Sequence, residues 1–212
     1  MLIVFILFSM VTNNYNQVYE SINKFASQYF IKVSNKDLDS DNDLIKLKDL
    51  LSHSYDKVEF ESKNKIAVDD FDSLKNHFNE YESVIKNISK DSALVLFNKW
   101  YLHFSNVFYN YADEKFFSSN KTKLLFFSAS VSCQCTLEMC KKQTIEILNL
   151  AKEKNLDYWI VDSFEHNELQ IKYETYFAPS LVLLDENNNL LHKTEFDEEM
   201  LIKLSQFLSN KI

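Results

Sequence analysis

Apolar residues recur at helical spacing through the first half of the chain, between about residues 14 and 112. Side chains three or four positions apart share one face of an α-helix, so this spacing predicts amphipathic helices. Polar stretches at 34–43, 63–65 and 89–92 separate the stripes, which predicts a region of four or five helices. The stripes are Val18, Ile22, Phe25 and Tyr29; Leu44, Leu47 and Leu51; Phe71, Leu74, Phe78, Tyr81 and Ile85; and Phe97, Trp100, Tyr101, Phe104 and Phe108. We expect Asp91 or Ser92 to cap the last helix, because short polar side chains accept hydrogen bonds from the first helical amides.

After residue 120 the pattern changes to short, continuous apolar runs. Such runs are typical of buried strands, and the longer amphipathic stretches between them are typical of helices. The predicted strands are 123–128, 158–162, 180–184 and 190–194, and the predicted helices are 134–155, 167–176 and a last one capped by Asp197. This order predicts an α/β fold, a mixed sheet flanked by helices, preceded by an all-helical region. We therefore predict a helical domain at 14–115 and a sheet-containing domain at 116–212.

The N-terminus opens with an apolar run at 2–8 that continues to Met10 and Val11 before the chain turns polar. The run is too short for an ordinary membrane-spanning helix but has the length of the apolar core of a signal peptide. We interpret 1–13 as a signal peptide or membrane anchor, with 2–11 as the anchoring stretch. This predicts an exported protein, either periplasmic or membrane-anchored and facing outside the cytoplasm. The alternative is a buried N-terminal strand or helix end.

The composition excludes several common classes of enzyme. The chain has no glycine and no arginine, and its excess of Asn, Lys, Ile, Phe and Tyr is typical of an AT-rich genome. Without glycine there is no Walker loop, no Rossmann G-x-G-x-x-G motif and no G-x-S-x-G nucleophile elbow. A net charge of −8 argues against nucleic acid as a partner, because phosphate binding needs clustered basic side chains. We also expect no cofactor.

Three cysteines lie within eight residues, where the predicted strand at 123–128 meets its helix. A thiol at a helix N-terminus is favoured as thiolate by the unpaired amides and the positive end of the helix dipole. Cys133 and Cys135 occupy that end, and we expect the stronger effect at Cys135. A disulfide between them would close a very small ring and be readily reduced. Cys140 lies a turn or more further along, where we expect a buried, unreactive thiol.

The stretch around these cysteines resembles the active site of the extracytoplasmic, TlpA/ResA-like branch of the thioredoxin superfamily. That branch reads F-x-A-[ST]-W-C-x-x-C-x-x-E-M-P, and the chain reads F-S-A-S-V-S-C-Q-C-T-L-E-M-C at 127–140 without a gap. The family's acidic strand end and its N-P-E-L, K-Y and I-P-T segments have counterparts at 161–162, 167–169, 172–173 and 178–180. The resemblance covers about residues 121–212 and implies a thioredoxin-like fold there.

The chain departs from the family at several active-site positions. In the gap-free alignment Ser132 replaces the attacking cysteine, Val131 replaces the tryptophan, and Cys135 falls on the resolving cysteine. Cys140 replaces the family's proline. An alignment shifted by one position instead makes Cys133 the nucleophile of a shortened C-x-C motif. The buried acid that ordinary thioredoxins carry on the preceding strand has no counterpart in this chain.

The only proline, Pro179, follows Ala178 just before a predicted strand. The resemblance implies that the Ala178–Pro179 bond is cis, lies against the cysteines and docks the substrate. An ordinary trans proline at the start of an edge strand is the alternative.

These residues favour a thiol–disulfide oxidoreductase that acts on protein or small-molecule thiols outside the cytoplasm. Cys133 and Cys135 would be catalytic, with Ser132 and Cys140 in auxiliary positions. A non-catalytic thioredoxin-fold binding module that has lost its nucleophile is the second hypothesis, favoured by Ser132, by Val131 and by the missing buried acid. A Cu(I)-thiolate site is the third hypothesis, since thiolates select Cu(I). The cysteines suit copper better than zinc, because a tetrahedral zinc site would lack its fourth ligand. At this cysteine site we expect no metal.

Overall fold

The computed structural model of the chain describes residues 18–35, 40–53 and 55–211, so the predicted signal peptide or anchor at 1–13 lies outside the described residues. The described part of the first half is entirely helical. Its helices are α1 (Val18–Ser34), α2 (Ser40–Ser52), α3 (Lys57–Asn64), α4 (Val68–Val84), α5 (Lys90–Val107) and α6 (Tyr109–Ser118), with a short 3-10 helix at Ile85–Asn87. No helix within the described ranges is long and apolar enough to cross a membrane.

The helical region has more helices than the four or five that the stripes predict. Helix α3 is only eight residues long, too short to produce a recognisable stripe of its own. Helix α5 ends one residue before Phe108, and α6 begins one residue after it, although the apolar spacing hardly changes there. The predicted cap of α5, Asp91 or Ser92, was also wrong, because the helix begins at Lys90 and its N-cap residue is Ser89. The Ser89 hydroxyl accepts the Ser92 amide at 3.2 Å.

The second half alternates strands and helices in the predicted order. Its elements are β1 (Lys123–Ser128), α7 (Gln134–Lys154), β2 (Asp157–Asp162), α8 (Asn167–Tyr173), β3 (Ser180–Leu184), β4 (Leu190–Glu195) and α9 (Met200–Lys211). The four strands lie in the order β2-β1-β3-β4; β1 and β2 are parallel and the other two pairs are antiparallel. The predicted α/β architecture, a mixed sheet with flanking helices behind a helix-rich region, is confirmed at this level.

The absence of glycine is visible in the backbone. Among the residues that the structure describes, five non-glycine residues have positive φ: Lys65, Asn155, Glu174, Asn188 and Phe196. Glu174, with φ of 54°, ends α8 three residues before the sequence predicts. Asn155 ends α7 and Asn188 lies in the turn between β3 and β4, where asparagine is the residue that best replaces glycine.

The helical region packs directly on strand β2. The buried hydroxyl of Ser105, on α5, donates to the Ile160 carbonyl at 2.6 Å and accepts from the Trp159 indole at 3.0 Å. The Trp159 ring contacts Tyr109 and Phe116 of α6, with ring centroids 5.2 and 5.7 Å apart. One hydrophobic core therefore contains residues of both halves, and the predicted boundary between 115 and 116 falls inside α6.

One edge of the sheet collects four loops. Ser128 at the end of β1 pairs with Asp162 at the end of β2, and Phe127 pairs with Ser180 at the start of β3. Ser180 also pairs with Glu195 at the end of β4. The loops that follow β1, β2 and β4 and the loop that precedes β3 therefore meet at this edge, which we call the β1 carboxyl edge. The cysteines lie in and just after the first of these loops.

Candidate thiol site

Cys133 is the N-cap residue of α7, and Cys135 lies in the first turn of that helix. Both side chains are exposed, and all three cysteines of the chain are reduced. The residues before them, 129–132, form the loop that leaves β1, and Ser132 is also exposed. The structure thus places the two cysteines at a helix N-terminus, where the sequence predicts them.

The two exposed thiols lie close enough to react with each other. The Sγ atoms of Cys133 and Cys135 are 2.7 Å apart, so a disulfide bond of about 2.05 Å requires only a small further approach. The hydroxyl of Thr136 lies 3.2 Å from the Cys133 sulfur. When Cys133 is a thiolate, the Cys135 thiol and the Thr136 hydroxyl can both donate to it.

These donors lower the pKa of Cys133 from 9.0 to about 6. The largest cause is the hydrogen bond from Cys135, followed by the Thr136 hydroxyl and the Thr136 backbone amide, with a smaller contribution from Ser132. Hydrogen bonds to the charged form favour that form, so Cys133 is mostly a thiolate at neutral pH. The sequence favours Cys135, but the residue that faces the helix amides is the N-cap, Cys133.

Thr136→Val is expected to raise the pKa of Cys133, because it removes a hydroxyl that donates to the thiolate while keeping the side-chain shape. At pH 6 the thiolate fraction falls, and alkylation of Cys133 should slow by about twofold to fivefold. The measurement is the rate of iodoacetamide alkylation against pH, with the modified cysteine located by mass spectrometry.

Thr144→Val is the matched control, since it is the same substitution in the same helix. The Thr144 hydroxyl is buried and finds no hydrogen-bond partner among the described residues, so its loss should leave the alkylation profile of Cys133 unchanged. An unchanged profile for Thr136→Val as well would contradict the assigned cause of the low pKa.

Cys140 is a different kind of thiol. It is fully buried on α7, and burial raises its pKa to about 11, with the negative charge of Asp162 adding to the effect. Ser128 and the Ala129 backbone lie within hydrogen-bonding reach and work in the opposite direction. A protonated, inaccessible thiol neither attacks disulfides nor is attacked, so Cys140 is a structural side chain.

The bond between Ala178 and Pro179 is cis. Pro179 is buried, and its carbonyl accepts the Phe196 amide at 2.8 Å. It directly precedes Ser180, the β3 residue that pairs with Phe127 of β1. The cis bond therefore lies at the β1 carboxyl edge, the same edge of the sheet as the cysteine loop.

Asp162 holds two of the loops at this edge. Its side chain is buried, and its Oδ1 accepts the Ser130 amide at 3.4 Å and the Phe164 amide at 3.0 Å. The first amide belongs to the loop after β1 and the second to the loop after β2. The carboxylate thereby fixes the backbone three residues before Cys133. Its position at a predicted strand end was visible in the sequence, but its hydrogen-bond partners were not.

Exposed apolar side chains occupy the loops at the β1 carboxyl edge, the edge that also carries the cysteine loop, and the sequence did not predict them. Five large side chains at the β1 carboxyl edge are between 52% and 69% exposed. They form the apolar rim: Val131, Phe164, Tyr176, Phe177 and Phe196. They fall in four separate segments of the chain, so the only signal in the sequence was large apolar residues near the ends of predicted strands. Clustered exposure of this kind is typical of a surface that binds a partner.

The described residues do not supply a set of ligands for the Cu(I) site of the third hypothesis. Within residues 18–35, 40–53 and 55–211, no group of three or more His, Cys, Asp or Glu side chains is arranged to hold a metal ion. No protein-family model matches the chain, and no curated protein matches it either.

Proposed function

We propose that residues 121–212 adopt a thioredoxin-like fold and that the protein catalyses thiol–disulfide exchange. The strand and helix order, the mixed sheet, the cysteines at the start of α7 and the cis bond ahead of β3 support the fold. The observation that carries the function is the exposed Cys133 thiol, with a pKa of about 6 and a second thiol 2.7 Å away. In this proposal Cys133 is the nucleophile, as in the shifted alignment.

In the first step the Cys133 thiolate attacks one sulfur of a substrate disulfide. A bond forms between Cys133 Sγ and that sulfur, the substrate S–S bond breaks, and the other substrate sulfur leaves as a thiolate. That thiolate takes a proton from solvent. A low pKa favours this step because the thiolate, not the thiol, is the attacking species.

In the second step Cys135 resolves the mixed disulfide. Its thiol gives a proton to solvent, and the resulting thiolate attacks Cys133 Sγ, which forms the Cys133–Cys135 bond and releases the remaining substrate thiolate. Two electrons have then passed from the cysteine pair to the substrate. The small ring closed by this disulfide makes it readily reducible, so an external dithiol returns the pair to the reduced state.

The proposed substrates are disulfides or thiols of polypeptides. The apolar rim supports this choice, because exposed aromatic side chains around a reactive centre suit the apolar side chains of an extended or partly unfolded chain. We further propose that the protein acts outside the cytoplasm, where protein disulfides persist. That part of the proposal rests on the apolar stretch at 2–11.

The test is turnover of insulin disulfides in the presence of dithiothreitol. The wild-type protein at catalytic concentration should accelerate reduction of the insulin chains about tenfold or more over the dithiol alone, because thiolate availability at Cys133 exceeds that of dithiothreitol at neutral pH. Cys140→Ser should retain this rate, since the residue is buried. Acceleration no greater than that given by an equal amount of cysteine would refute the proposal.

A binding module without catalysis is the second candidate, and the apolar rim favours it as well. In that case the protein binds polypeptides through the rim while Ser132 and Val131, which replace the family's cysteine and tryptophan, reflect loss of chemistry. Binding of unfolded insulin chains without accelerated reduction would favour this second candidate.

A further inference from the structure

A groove runs beside the thiol site, between the helical region and the cysteine loop. Its volume is about 600 Å³, within the range of small-ligand and side-chain binding sites. One wall comes from α4 and α5, and the other comes from Ser130, Val131 and Asp162 at the β1 carboxyl edge. The helical region, for which the sequence offers no role, thus contributes most of the lining of a cavity next to the reactive cysteine.

The groove is apolar at its base and polar at its margin. Tyr81 and Trp100 are buried in the base, and Val84 at the end of α4 is 38% exposed into it. His77 and His103 stand side by side on the helical wall, with ring centroids 4.6 Å apart. Burial, followed by the neighbouring His77, lowers the pKa of His103, which keeps that ring neutral at neutral pH. The buried aromatic rings of Tyr81 and Trp100 suit a large apolar side chain, while charged side chains, among them Glu80, Lys99 and Glu165, also line the groove.

The groove is within two residues of the nucleophile. Val131 lines the groove and also belongs to the apolar rim, and Cys133 follows it by two positions. Two residues of chain span at most about 7 Å. A substrate whose sulfur lies at Cys133 therefore brings a residue one or two positions from its own cysteine to the mouth of the groove.

We propose that this groove is a specificity pocket that takes a large apolar side chain, one or two positions from the reacting cysteine of a polypeptide disulfide. The inference rests on the proposed exchange reaction and assigns the helical region to substrate selection. The continuity of the groove with the rim and the cysteine loop, together with its apolar base, defines this occupant. A folded partner that covers only the rim would leave the groove empty.

The experiment uses the full chain and short peptides whose cysteine is joined to thionitrobenzoate. The peptides carry Phe or Ala two positions before or after the cysteine. The Cys133 thiolate attacks the peptide sulfur, a Cys133–peptide disulfide forms, and thionitrobenzoate leaves as a coloured thiolate whose release gives the rate constant. Iodoacetamide alkylation at the same pH measures the thiolate itself, so the ratio of the two rates isolates the contribution of the groove.

We expect the Phe peptide to react about tenfold faster than the Ala peptide, the factor that corresponds to about 1.4 kcal/mol of binding. Val84→Trp fills the mouth of the groove and should reduce this preference to about twofold or less. The matched control is Val58→Trp on α3, a helix valine that is 77% exposed and does not line the groove; it should keep the full preference.

Equal rates for the Phe and Ala peptides in the wild type, or a preference that survives Val84→Trp, would overturn the groove assignment and leave the exchange reaction standing. Normal alkylation of Cys133 with no release from any peptide would overturn the exchange reaction itself, and this inference with it.

Discussion

Cys133→Ser is expected to lower the rate of insulin reduction by about tenfold or more, to the rate of the dithiol alone. The substitution removes the one exposed thiol whose pKa is lowered to about 6, and a serine hydroxyl is not ionised at neutral pH. Cys133 also supplies the sulfur that both steps of the exchange use. The loss should therefore be complete rather than partial, and insulin turnover measures it directly.

Cys135→Ser should behave differently. It keeps a hydroxyl that can donate to the Cys133 thiolate, but it removes the resolving thiol. The first step should persist and the second should fail, so the substrate accumulates as a mixed disulfide on Cys133. Cys140→Ser is the control that changes a cysteine without touching the exposed pair. If Cys133→Ser kept most of the wild-type turnover, Cys133 would not be the nucleophile.

Trp159→Ala is expected to reduce the free energy of unfolding by about 3–5 kcal/mol, a large part of the total for a protein of this size. Trp159 lies on strand β2, is 2% exposed, and packs its ring against aromatic side chains of α6. Its indole also donates the buried hydrogen bond to Ser105 of α5. Urea denaturation, followed by far-UV circular dichroism and by fluorescence, gives the change.

The remaining tryptophan makes this test informative about the whole chain. Trp100 lies in the helical region, so its fluorescence in the Trp159→Ala variant reports on helices far from the substituted residue in sequence. A shared core predicts that this signal and the circular dichroism shift to the same lower urea concentration. Phe164→Ala, which removes a side chain that is 69% exposed, should change stability by no more than about 0.5 kcal/mol. A Trp100 transition that stays at the wild-type midpoint would show that the halves unfold independently.

Strands β1, β2 and β3 were predictable because each contains a continuous apolar run with clear polar boundaries. All residues of β1 and β3 are buried, so their sequences carry a strong local signal. The position of the cysteines was predictable for the same reason, since a strand followed by an amphipathic stretch marks where the next helix begins. The helix boundaries around Phe108 were not predictable from the sequence. The apolar spacing there is the same for one continuous helix as for two consecutive helices.

The surroundings of the thiols depend on contacts between distant parts of the chain. The apolar rim combines loops that follow three different strands and precede a fourth, and the groove joins α4 and α5 to the loop after β1. Neither feature has a local pattern. The assignment of the low pKa also needed geometry, because the helix dipole acts on Cys133 and Cys135 alike. The pKa is lowered at Cys133 because that thiolate receives the hydrogen bonds from Cys135 and Thr136.

In the proposed exchange, Cys133 attacks a disulfide and Cys135 resolves the product. The most direct measurement is disulfide mapping by mass spectrometry after the reduced protein has reacted with one equivalent of a disulfide-linked peptide pair. The account predicts a Cys133–Cys135 disulfide, reduced Cys140 and two free peptide thiols. Peptide bound to Cys135, or a protein whose three thiols remain reduced beside an intact peptide disulfide, would contradict it.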